Sequence, residues 1–142
     1  MNRQQSFLSQ AVKDVNGLLK NEESKKTQRI YGTLCHKFPV LIRTCGLCQT
    51  AAFIESKVSS DNNDRKQAHT SLGAHALKVL KDQGIVNPQK QKLSEAVGEL
   101  DAMSYALATR ILLRAWIYYK RFAESILGVK AGDEEDDNGP SA

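Results

Sequence analysis

Four side chains between positions 35 and 48 could share a metal ion: Cys35, His36, Cys45 and Cys48, in the order C-H-x8-C-x2-C. Thiolates and imidazoles are the ligands zinc prefers. At helical periodicity the set does not converge. Cys45 and Cys48 fall on the apolar stripe of a helix, Cys35 lies beside it and His36 points elsewhere. Structural zinc sites usually hold CxxC pairs on turns, and no second pair is present. The cysteines are therefore read as small buried hydrophobes, with no metal and no cofactor. Three cysteines imply no disulfide framework. A thioredoxin-type pair would need a strand before it and a helix N-terminus to stabilise a thiolate. His69 and His75, six positions apart, do not share a helical face. Glu99 and Asp101 suit the dipole at the start of the last helix. Glycine-rich phosphate loops are absent, so the chain is expected not to be an enzyme.

Anion binding is the chemistry that remains. Lys26, Thr33, Lys37, Arg43 and Thr44 share a helix face, with Arg29 and His36 at its edge. The opposite face carries Tyr31, Leu34, Phe38, Leu41, Cys45, Cys48 and Ala52. A second row, Arg110, Arg114 and Arg121, lies on the last helix, with Lys120 to one side, Ile117 inside the row and Glu124 near it. Arginine gives always-charged, bidentate contacts that suit phosphate. Charge is divided along the chain. The net charge is +4, but 133–137 (DEEDD) holds five of the 16 acids, so the preceding residues set 20 bases against 11 acids, or +9. A basic body of this kind suits a polyanion. No RNA-recognition aromatic motif, KH loop or zinc-finger spacing is present, and Tyr105, Trp116, Tyr118 and Tyr119 are read as core aromatics. The nucleic-acid-binding candidates are Lys26, Arg29, Lys37, Arg43, Arg110, Arg114, Lys120 and Arg121, touching backbone without reading sequence.

The elements that must position them are helical. Residues 3–20 have apolar positions at i, i+3 and i+4 spacing. A second helical stretch starts near Ser24, an N-cap residue, and continues to about Val58, with a kink or restart expected at Pro39. After a loop at 59–64, a third helix covers about 64–83, with Ala68, Leu72, Ala76, Val79 and Leu80 inward and Gly84 at its end. A short helix at about 89–96 runs toward the last one, about 99–127. The stripe expected there is Leu100, Met103, Leu107, Ile111, Tyr118, Phe122 and Ile126. The fold class is all-α: a compact bundle of about five or six helices, with a long kinked second helix and a long C-terminal helix. Residues 1–131 form a single domain, and 132–142 are expected to be a disordered, solubilising acidic tail. No signal-peptide pattern opens the chain, and no uncharged apolar run approaches the ~20 residues of a membrane span. A cytoplasmic protein without membrane contact is expected.

Two segments carry a family resemblance. HKFPVLIRTCGLCQTAAFIESK (36–57) resembles the signature of the small helical subunit of the type III-B CRISPR effector, the Cmr complex. The matching positions are Phe38-Pro39, Leu41-Ile42, Arg43, Gly46-Leu47, Phe53 and Lys57. Tyr105, Thr109 and WIYYKRFAES (116–125) are similar to that family's C-terminal segment. Cys45 and Arg110 depart from its pattern. The resemblance implies a non-catalytic subunit of an antiviral ribonucleoprotein. Its partners would be the other Cmr complex subunits, guide RNA, target RNA and further copies of itself stacked along the complex. The alternative is an architectural protein–protein spacer with no direct RNA contact.

Overall fold

The computed structural model describes residues 2–20 and 24–132, and the proposed acidic tail lies outside them from residue 133 onward. Among the described residues six helices follow in order: α1 (Arg3–Lys20), α2 (Lys25–Cys45), α3 (Leu47–Val58), α4 (Asn63–Asp82), α5 (Leu93–Gly98) and α6 (Ala102–Ser125). Packing is mainly α2 on α4 and α6, α3 on α4, and α1 on α6.

Local chemistry explains most boundaries. Asn2 and Gln5 form a reciprocal capping box at the start of α1, each backbone N–H donating to the other's side-chain oxygen at 2.8 Å. Phe7, Ala11, Val15 and Leu18 give that helix its buried stripe. Ser24, Asn62 and Asp101 cap α2, α4 and α6 by accepting from the N–H three residues on. Asp64, in the first turn of α4, accepts from the Ser24 hydroxyl at 2.5 Å and the Thr27 hydroxyl at 2.7 Å. These bonds stabilise its ionised form, so its pKa is lowered. They also tie the starts of α2 and α4 together.

The second helical stretch breaks elsewhere than expected. It runs through Pro39 without interruption, and the division falls at Gly46. Proline costs one backbone bond, which a helix packed on two neighbours tolerates. Gly46 has φ 87° and ψ 160°, a conformation open in practice to glycine alone. Its N–H closes α2 on Ile42 and its carbonyl opens α3 at Thr50. Because α3 restarts with a new phase, it buries Leu47, Thr50, Ala51 and Ile54 and leaves Cys48 and Ala52 exposed; Cys45, the last residue of α2, is exposed as well. Only Cys35 is the buried hydrophobe expected of all three cysteines. Desolvation pushes its thiol up to about 12.

The end of the chain corrects two further expectations. The short helix is α5, later and shorter than expected, and it stops at Gly98 instead of joining α6. On α6 the buried residues are Ala108, Ile111, Leu112, Ala115, Trp116, Tyr119 and Ala123. That stripe is turned from the expected one, which leaves Met103 85% exposed. Three alanines bring the α6 backbone close to its neighbours, and Trp116 fills the gap, its ring centroid 4.6 Å from Phe38 and 4.1 Å from Tyr119. Trp116 Nε1 is buried there without a hydrogen-bond partner among the described residues, whereas other polar groups near it are paired. Tyr119 donates to Asp14 at 2.6 Å, and Gln10 donates to the other Asp14 oxygen at 2.8 Å. The Tyr31 hydroxyl and His75 Nδ1 share a hydrogen bond at 2.6 Å, and burial lowers the pKa of the imidazole.

Candidate nucleic-acid interface

On α2 the inner arc is closed by Ile30, Tyr31, Leu34, Cys35, Phe38 and Ile42, all buried. Arg29, Lys37, Arg43 and Thr44 lie exposed on the outer arc, and Lys26 is half-buried beside them. At about 100° per residue, Lys26, Lys37 and Thr44 point one way, while Arg43 sits about 100° round from Thr44, at the rim. Val40 stands among them, 53% exposed. Thr33, expected on this face, is 4% exposed, and its hydroxyl has no hydrogen-bond partner.

A strap crosses α2 next to Thr33, over Gly32 and His36. Past α6, the chain turns at Gly128 (φ 73°) and lays Val129 across α2. A Cβ on Gly32 would stand 2.6 Å from two Val129 carbons, so only glycine fits under the strap. His36 Nε2–H donates to the Val129 carbonyl at 2.9 Å, and the Val129 N–H donates back to Ala123 at 3.0 Å. The α2 face is thus divided, with Lys26 and Arg29 on one side of the strap and Lys37, Arg43 and Thr44 on the other.

On α6, Arg110, Arg114 and Arg121 are exposed and Lys120 is half-buried. Helical geometry adds Met103 to their row, and Ile117 in the same row is 47% exposed. The contact of Phe38 with Trp116 fixes the mutual orientation of α2 and α6. Each cation row is turned away from that contact, so the two rows do not merge across it.

Other cavities offer less. A groove of about 250 Å³ between α3 and α4 is lined chiefly by Ile54, Val58, Gly73, Ala74 and Leu93. Its carboxylate, Glu55, is committed to capping α5, accepting from the N–H and hydroxyl of Ser94 at 2.8 and 2.5 Å. Tyr105 plays a similar part for α3, its hydroxyl accepting from Cys48 N–H at 2.9 Å. Sequence reasoning missed the strap and Met103. Gly32, in the middle of an otherwise bulky helix, is the one local sign of close approach.

An all-helical bundle with cationic outer faces defines the class of protein. The sequence matches the family profile described as CRISPR-associated protein (Cas_Cmr5) over residues 3–126. It is also similar to the CRISPR system Cmr subunit Cmr5 of Thermus thermophilus, 33% identical over 97 residues that span 68% of this chain and 75% of the relative. The crystal structure of a CRISPR-associated Cmr5 family protein from Thermus thermophilus superposes with a TM-score of 0.67 at 29% identity. That match covers 89% of this chain and 98% of the other. The chain belongs to the Cmr5 family of CRISPR-associated proteins.

Proposed function

We propose that this chain is the small, non-catalytic subunit of a type III-B CRISPR Cmr effector complex. There it stacks with further copies and neighbouring subunits, and its α2 face lies on the backbone of guide or target RNA. The family supports the assembly. One observation carries the RNA contact: Lys37, Arg43 and Thr44 stand exposed along one helix whose opposite side is locked in the core. Cations without a base-reading element suit phosphate, which positions a nucleic acid without specifying it.

Arg43→Glu in the reassembled complex tests this. RNA capture is expected to weaken while the subunit's thermal midpoint stays unchanged. Capture equal to that of the parent would remove the face from the RNA path, and a sharp fall in midpoint would make Arg43 a structural residue.

A second reading applies to the α6 row. Arginine and methionine are enriched at protein interfaces, and Met103 with Ile117 places two large apolar side chains among three arginines. This favours a protein-docking role for that face, as in the architectural alternative.

A further inference from the structure

The open groove of about 250 Å³ between α3, α4 and α5 belongs to neither cation row. Its floor is aliphatic, made of Ile54, Val58, Ala74 and Leu93. Small-molecule sites enclose about 300–1,000 Å³, so this smaller, open space suits about one or two side chains of a protein. Gly73 keeps it open. Glycine weakens a helix interior relative to alanine, and the packing around Gly73 does not ask for it. A Cβ there would stand 3.7 Å from Ile54 Cγ2, an ordinary contact. At Gly32 a Cβ would collide with Val129. Close approach of helices thus explains Gly32 and leaves Gly73 to the groove.

The border is cationic. Lys92 lines the groove, and Lys66 stands one turn before Thr70 on the same side of α4. Both are exposed, and neither has a carboxylate in ion-pair range among the described residues. Nearby lysines are engaged: Lys90 pairs with Glu99 at 3.1 Å, and Lys57 lies 5.4 Å from the centre of the Phe53 ring. Glu55, the carboxylate of the lining, has one oxygen taken by the Ser94 N–H and the other by the Ser94 hydroxyl. RNA fits this groove poorly. Bases stack on open aromatic faces, and the ring in the lining, His69, is 2% exposed and packs edge-on against Phe53.

We propose that the groove docks an acidic segment of a partner protein that presents one aliphatic side chain. That side chain enters over Gly73, between Ile54 and Leu93, and flanking carboxylates meet Lys66 and Lys92. The aliphatic contact anchors the segment, and the lysines select which segments are admitted. The site is separate from the outer face of α2, so it stands apart from the RNA reading.

The test titrates the full chain with a short peptide that carries a single leucine between runs of glutamate, read by amide and methyl chemical shifts. Shifts are expected at Ile54, Val58, Gly73 and Leu93. Replacing the peptide's leucine by serine should weaken binding about tenfold. Lys66→Glu with Lys92→Glu should weaken it about fivefold at low salt, and less as salt rises. Gly73→Leu should fill the groove and abolish binding. Should that variant fail to fold, Gly73→Ala narrows the same space; it is expected to keep or raise the thermal midpoint and to weaken binding several-fold. Leucine and serine peptides bound alike would mean that charge alone attracts them, and would overturn the proposal. So would an absence of shifts at the groove up to millimolar peptide, or shifts there from oligouridine RNA in place of the peptide.

Discussion

The outer faces of α2 and α6 carry the same kind of cation in different company. On α2, Lys37 and Arg43 stand with Thr44 and one exposed valine. On α6, Arg110, Arg114 and Arg121 stand with Met103 and Ile117. Cations among polar neighbours suit phosphate, where the gain comes largely from counterion release. Cations beside large apolar side chains suit a partner that also covers apolar surface. Equal charge on two helices therefore does not mean equal function, and the neighbours decide.

The comparison breaks most readily at α6. Met103→Glu with Ile117→Glu should cut incorporation of the subunit into the complex by at least tenfold, as loss of a central interface contact of about 2 kcal/mol does. Melting of the free subunit should be nearly unaffected, because both side chains already face solvent. Incorporation at the parental level, measured by co-purification, would leave the α6 face without a protein partner.

Salt dependence sharpens the distinction. Lys37→Gln with Arg43→Gln should lower the slope of log affinity against log salt by about 1.4, two phosphate contacts at about 0.7 each on single-stranded RNA. Replacing Arg110, Arg114 and Arg121 together by glutamine would remove about 2 from that slope if they sat on phosphates. The mixed apolar company of the row predicts little change. Titrating both variants across several salt concentrations with two unrelated RNAs decides it, and a loss confined to the α6 variant would reverse the assignment.

The smallest expected effects concern the core that holds the two faces apart. His75 is lowered in pKa chiefly by burial, against a smaller opposing pull from Asp14. The unfolded chain then binds more protons there than the folded one as pH falls through about 6.5. Stability should accordingly decline below about pH 6.5 by a modest amount, read by urea unfolding at several pH values. His75→Gln should flatten that segment of the profile. Asp64 adds a separate loss nearer pH 4, since its folded pKa lies below the ordinary carboxylate value and its contribution disappears on protonation. A profile flat from pH 7 to 5 would mean that the Tyr31–His75 bond keeps its form in both charge states.

Much of this architecture was legible residue by residue. The first helix was expected at 3–20 and spans Arg3–Lys20, and the expected core of the third lies inside α4. Ser24 was readable as a cap because capping is local: a side-chain oxygen meets an N–H three residues on. Local patterning favours Pro39 over Gly46 as the point of interruption. Proline is the stronger breaker in isolation, yet burial on two neighbours carried α2 through it, while the positive φ at Gly46 let the chain re-aim α3.

The sequence by itself determined the class: helices with one buried side, an excess of base before residue 133, and cations on two outer faces. It could not determine the phase of α6, because apolar residues lie nearly all round that helix and two stripes compete. Tertiary packing chose the alanine-lined one, where Trp116 could reach Phe38 and Tyr119, and so turned Met103 outward into the arginine row. Nor could local patterning bring Val129 onto Gly32, a contact between positions 97 residues apart. Such a contact depends on where the end of α6 lies relative to α2, and only the assembled bundle fixes that.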